Sequence, residues 1–179
     1  KKKPRPHQIA AITALKEGLY SADSGQVLRT FGIGKTLTSL WIKEKLQAEQ
    51  VLVLVPSLNL LSQTLKEWNA EVNESFKWIC VCSDKSVAKE KSEDQWISNT
   101  SEKGFPVTNQ TLEVKNFLDE SGPKVVFATY QSSELIVEAQ EYHDTSDFDL
   151  VIADEAHRCA GKVSDAFGSV LDENKIKSS

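Results

Sequence analysis

Apolar residues along this chain come in short, nearly unbroken runs. They are "QVLR" (26–29), "VLVLV" (51–55), "KWICVC" (77–82), "KVVFAT" (124–129) and "LVIA" (150–153). Such runs are what strands buried on both faces require. Between them, "KTLTSLWIKEKLQAE" and "SLNLLSQTLKEWNAEV" repeat apolar residues at three- and four-residue spacing, the period of a helix. Strands alternating with helices predict an α/β fold: a mostly parallel sheet, right-handed crossovers and helices on both faces. One stretch breaks this rhythm. Residues 83–123 are largely polar, with "SDKSVAKEKSEDQWISNTSEKG", then "FPVTNQ" and a short helical "TLEVKNFLDE". They are expected to form an insertion or long crossover over one edge of the sheet, pinned by Trp96 and Phe105. A plain surface loop fits the same residues. No internal repeat is present.

The length of 179 residues suits one domain with a sizeable core. With 40% hydrophobic and 26% charged residues, a soluble globular protein is expected. No apolar run is long enough to cross a membrane, and "KKKPRPHQ" is not a signal peptide. The three cysteines, Cys80, Cys82 and Cys159, are too few and scattered for a disulfide framework, which places the protein in a reducing, cytoplasmic compartment. Cys80 and Cys82 read as small core residues, since no further Cys or His pair completes a zinc site. A net charge of −5 argues against a general nucleic-acid coat. A local strip of backbone amides and hydroxyls remains open to such a ligand.

"RTFGIGKT" (29–36) follows one predicted strand and precedes an amphipathic helix, the setting of a phosphate-binding loop. Gly32, Ile33 and Gly34 would line it. The two glycines can take backbone angles closed to other residues, so that successive amides point into one concavity. The helix beginning near Lys35 adds its own amides and the positive end of its dipole. Lys35 would reach the β- and γ-phosphates of a nucleotide, and the Thr36 hydroxyl would ligate Mg²⁺. A glycine-rich turn leading into a helix is the competing reading, favoured by Arg29 and the bulky Phe31.

"FDLVIADEAHR" (148–158) decides between them. It puts Asp154 and Glu155 at the end of a buried strand, where α/β folds place their ligand sites. One carboxylate there can hold Mg²⁺ while its neighbour orients and deprotonates a water. An isolated Asp-Glu pair can also start a helix, but the upstream "GIGKT" favours the chemical role.

Together "GKT" and "DEAH" resemble the first RecA-like domain of a superfamily 2 helicase or translocase. The resemblance implies further roles. "RPHQ" is similar to the adenine-reading segment, so Gln8 would hydrogen-bond the adenine edge with Arg5 supporting the base. "LVPSLNLLSQTLKEW" and "ATYQS" are similar to the motifs that grip nucleic acid, giving Ser57, Thr129 and Gln131 as phosphate contacts. Taken singly, Gln8 would be an exposed helix-start residue, and Ser57 and Thr129 helix caps. His157 would link the nucleotide site to the nucleic-acid motifs; Arg158 would only pair with a carboxylate.

The same segments with "VCSD" and "FDLVIADEAHRCAG" look like the translocase module of restriction enzymes, from Arg5 to about Asp172. The resemblance implies a motor on double-stranded DNA, without sequence preference, using ATP and Mg²⁺. RNA is the less favoured track. Arg29, Phe31 and Ile33 depart from the family pattern in the phosphate loop. Family members carry a second RecA-like domain after "DEAH", and restriction enzymes add nuclease and methyltransferase domains or subunits. The chain stops at Ser179 before any of these, so a piece of a larger protein with very slow hydrolysis on its own is expected. Two other classes fit fewer motifs: a phosphoryl-transferring kinase on the same loop, and a non-catalytic DNA- or partner-binding module. Binding of DNA rather than a small acceptor separates the first, and nucleotide titration the second.

Overall fold

A computed structural model of the protein describes residues 1–19, 34–83, 107–143 and 147–154. The chain forms two compact units, Lys1–Ala48 with Thr64–Ser75, and Glu49–Gln63 with Phe76–Ser179. Among the described residues no helix is long and apolar enough to cross a membrane.

The first unit is helical. Helix α1 spans Pro6–Leu19 and opens on proline, whose fixed φ suits the first helical position and whose missing N–H would have no partner there. Helix α2 spans Lys35–Leu46 and buries Leu37, Leu40, Trp41 and Ile42. It ends in a left-handed residue, Gln47 at φ 56°. The Gln47 N–H donates to the Glu44 carbonyl and the Ala48 N–H to that of Lys43, closing the last turn with the paired bonds of a Schellman motif. The Glu44 carboxylate then receives both the backbone and side-chain N–H groups of Asn73 at 2.8 Å.

The second unit is built on a five-stranded parallel sheet. Its strands are β1 Gln50–Val55, β2 Lys77–Val81, β3 Val107–Thr108, β4 Lys124–Thr129 and β5 Leu150–Ala153, in the order β3-β2-β4-β1-β5. All six residues of β1 and of β4 are buried, as their unbroken apolar runs predict. Helix α3 (Leu58–Glu71) follows β1, α4 (Thr111–Leu118) follows β3, and α5 (Ser133–His143) follows β4. Side chains on a strand alternate between faces. Leu52, Leu54, Ile79, Val81, Val126 and Ala128 thus share one face and pack with Val114, Phe117 and Leu118 of α4 and Ile136 and Ala139 of α5.

Register locks the functional end of the sheet. Val55 lies opposite Thr129 and Leu54 opposite Ala153, so the carboxyl ends of β1, β4 and β5 are level. At the opposite end the Asp149 carboxylate accepts the backbone N–H groups of Glu49 and Gln50, both at 2.8 Å, holding β5 against the start of β1.

Four of the five predicted strands appear at their expected places; "QVLR" lies outside the described residues, as do Trp96 and Phe105. Within residues 107–123, read from sequence as part of an insertion or long crossover, α4 is the expected short helix and packs into the core, while β3 adds a strand to the sheet that the sequence reading did not include. Helices α1 and α5 have no counterpart among the elements predicted from sequence.

Candidate functional site

The first unit presents the start of α2. Gly34 precedes it in the left-handed region (φ 61°, ψ 45°), and no side chain caps the helix there. Lys35 and Thr36 form the first turn, both half-buried. Such a turn directs amide N–H groups and the positive dipole end outward, a setting suited to phosphate.

Three groups hold this turn in place. Gln8 is 4% exposed, which overturns its reading as an exposed helix-start residue. Its Oε1 accepts the Arg5 backbone N–H at 2.8 Å, and its Nε2 donates to Thr38 Oγ1 at 3.2 Å and to the Gly34 carbonyl at 3.4 Å. Thr38 in turn donates its hydroxyl to the same Gly34 carbonyl at 3.0 Å. Trp68, fully buried, donates Nε1–H to the Thr36 carbonyl at 2.9 Å. Nothing in the spacing of "LKEW" points to that last contact. Beside Gln8 and Gly34 opens a cavity of about 350 Å³, lined also by Leu37, Trp41, Lys2, Lys3 and Arg5. That is the low end of the range for small-molecule sites. Its apolar wall, single buried amide and cationic rim match what a nucleotide base and its phosphates would need.

In the second unit, Ser57, Thr129, Gln131 and Asp154 lie at or just past the carboxyl ends of strands. Asp154 directly follows β5, its N–H donating to the Leu54 carbonyl at 2.9 Å. Its own carbonyl accepts the hydroxyl of Tyr130 at 2.8 Å. Tyr130 is 1% exposed and begins a single 3₁₀ turn, Tyr130–Ser132, after β4. Sequence reasoning passed over Tyr130 in "ATYQS"; the signal was a large polar aromatic at a strand end, which needs a partner for its hydroxyl when buried.

The nucleic-acid candidates divide. Ser57 is half-buried and its Oγ accepts the Leu60 N–H at 3.4 Å, a long cap on α3. Gln131 is half-buried on the turn. Thr129 is 1% exposed, and its hydroxyl lies 2.9 Å from Ser132 Oγ, which accepts the Ser83 N–H at 2.8 Å. A buried hydroxyl committed in this way shapes the turn, a role that competes with the phosphate contact expected of the Thr129 side chain.

Cys80 and Cys82 are buried free thiols. Burial, and then the proximity of Cys82, pushes the Cys80 thiol well above its ordinary value, leaving it unfit as a nucleophile. No cluster of three potential metal ligands occurs among the described residues. Gly32, Ile33, Glu155 and His157 lie outside the described residues, with Arg29, Phe31, Arg158 and Cys159.

Comparison with known proteins extends this geometry. Over 99% of its length the chain superposes on the ATP-dependent type ISP restriction-modification enzyme LlaBIII bound to DNA, with a TM-score of 0.78 and 32% identity, covering 12% of that chain. A nuclease-deletion mutant of the type ISP enzyme LlaGI, in complex with a DNA substrate mimic, gives the same TM-score at 34% identity, with 99% and 17% covered. The sheet is thus the RecA-like sheet expected from the motifs. Among curated proteins, a probable helicase of African swine fever virus is 34% identical over 129 residues, 72% of this chain and 13% of the viral protein. Its counterpart in another strain is 29% identical over 163 residues, 84% of this chain and 17% of that protein. The chain therefore spans less than a fifth of the length of each relative. The family described as type III restriction enzyme, res subunit, matches residues 1–178, and this chain belongs to it.

Proposed function

We propose that this chain is the nucleotide-binding and DNA-contacting part of an ATP-dependent DNA translocase of a restriction enzyme. The observation that carries the reading is the start of α2: a left-handed Gly34 before Lys35 and Thr36, braced by the buried Gln8 beside a cavity. The family match and the likeness to DNA-bound restriction enzymes support it.

In this reading the adenine rests in the cavity beside Gln8, which exchanges one of its present partners for the base edge, with Arg5 at the rim. Lys35 neutralises charge on the terminal phosphates. Thr36 and Asp154 each offer Mg²⁺ a hard oxygen donor suited to it, a hydroxyl and a carboxylate. Bound there, the ion would offset phosphate charge during hydrolysis. Glu155 accepts the proton of the attacking water, and His157 relays the nucleotide state toward the DNA motifs. DNA runs past the carboxyl ends of β1 and β4, contacted by Ser57, Gln131 and the backbone after Thr129. The second RecA-like domain and the nuclease and methyltransferase parts belong to the larger protein, which acts inside the cytoplasm on double-stranded DNA.

Titration of ATP-Mg²⁺ tests the core of this assignment. Lys35→Ala should weaken binding by about 2–5 kcal/mol, the scale for removing one partner of a buried charge pair. Unchanged affinity in that variant would sink the assignment of the loop.

A further inference from the structure

We infer that Thr38 is a positioning residue that fixes the Gln8 carboxamide and thereby selects amino over keto purines, an inference that rests on the function proposed above. Gln8 stands at the third position of α1, from which a glutamine side chain reaches back over the helix start. Its Oε1 accepts the Arg5 N–H at 2.8 Å, and its Nε2 faces the Gly34 carbonyl at 3.4 Å and Thr38 Oγ1 at 3.2 Å. The Arg5 N–H only donates and the Gly34 carbonyl only accepts. The two ends of the amide therefore cannot trade places without setting like groups against each other at both.

Thr38 adds the third constraint. Its hydroxyl donates to the Gly34 carbonyl at 3.0 Å, so the proton is committed there and a lone pair is left for Nε2. Its backbone N–H serves the same carbonyl at 3.1 Å. A carbonyl oxygen has two lone pairs, and Thr38 meets both. The Gln8 N–H directed at Gly34, the longest of these contacts, can thus pass to a ligand without orphaning that carbonyl. Thr38 is buried and acts through Gln8, which lines the cavity with Gly34, Leu37 and Trp41.

The amide then offers a base an oxygen and an N–H in a fixed order. An amide oxygen accepts up to two hydrogen bonds, so the Arg5 bond need not break when a base amine arrives. Adenine answers with an amine beside a ring nitrogen, a donor next to an acceptor. A 6-keto purine offers two acceptors on one edge and the reversed order on the other. Only an amide that turned over could follow it.

Calorimetric titration of the whole chain with ATP and with ITP, both with Mg²⁺, reads this choice, since ITP carries a keto oxygen where ATP has its amine. The unaltered chain should prefer ATP by roughly 5-fold or more, the lower end for one bidentate base contact. Thr38→Val keeps the shape without the hydroxyl and should bring the two affinities within about 2-fold of each other. Thr38→Ser keeps the hydroxyl and should retain the preference. A Thr38→Val chain that binds both nucleotides more weakly with the preference intact would show that Thr38 only braces the helix, and overturns the inference. Equal binding of ATP and ITP by the unaltered chain also overturns it, while leaving the proposed function standing. Failure of that chain to bind either nucleotide overturns the proposed function, and this inference with it. If Thr38→Val does not fold, NMR of the Gln8 side-chain amide in the unaltered chain takes its place. On adding ATP-Mg²⁺ the proton facing Gly34 should shift, and the one held by Thr38 should stay slow to exchange. Movement of both, or of neither, overturns the inference.

Discussion

At the scale of single residues, Gly34 shows how much one position can be asked to do. Its left-handed backbone would cost another residue about 1–2 kcal/mol. A Cβ there would also stand 3.1 Å from Gln8 Nε2, tighter than ordinary contact. Gly34→Ala should therefore destabilise the fold by about 1–2 kcal/mol and lower the melting temperature by several degrees, on the scale of about 2–4 °C per kcal/mol for a chain of this size. ATP affinity should fall in the same variant, because the Gly34 carbonyl and Gln8 amide share one network. A calorimetric melt identical to that of the unaltered chain would count against this account. The need for glycine was legible in "GIGKT". The identity of the atom that a side chain would strike was not, since Gln8 lies 26 residues away.

At the scale of elements, α2 begins and ends on left-handed residues, but only the first is a glycine. Gln47 bears the left-handed cost at the carboxyl end, where glycine is the usual choice. Gln47→Gly should relieve about 1–2 kcal/mol of that cost and give back about 0.5–1 kcal/mol through the greater freedom of the unfolded chain. A net gain of roughly 0.5–1 kcal/mol is expected. Chemical denaturation with an unchanged m-value and a higher midpoint would bear this out; a lower midpoint would contradict it. The strands were the most legible elements. "KVVFAT" and "LVIA" match β4 and β5 residue for residue; β4 is buried throughout, where little but apolar side chains is tolerated, while the residues of β5 are only half-buried. The two residues of β3 carry no such signal, and only pairing with β2 makes them a strand.

At the scale of the whole molecule, the chain carries a net charge of −5 yet is read as a DNA binder. Few phosphate contacts, made by hydroxyls, amides and a small number of cations, are compatible with that charge. Binding should be indifferent to sequence and should weaken as salt rises, with a slope in log–log form of about −0.9 per phosphate neutralised. Fluorescence anisotropy on several unrelated duplexes across a salt series checks this. Affinity that depends strongly on sequence and hardly on salt would refute it.

The order of apolar runs determined the parallel sheet, and the motifs at the ends of those runs pointed to the family, because both are local: a strand and a short motif are written in consecutive residues. The supports of the site are of another kind. Trp68 reaches Thr36 across 32 residues, Gln8 reaches Thr38 across 30 and Tyr130 reaches Asp154 across 24. Each pairing satisfies a buried polar atom, and burial is a property of the packed chain rather than of any segment. The same reasoning separates Ser57, half-buried on its helix cap, from Thr129, whose hydroxyl is spent inside its own turn. The two look alike in sequence, both hydroxyl residues at or just past a strand end, and only packing distinguishes them.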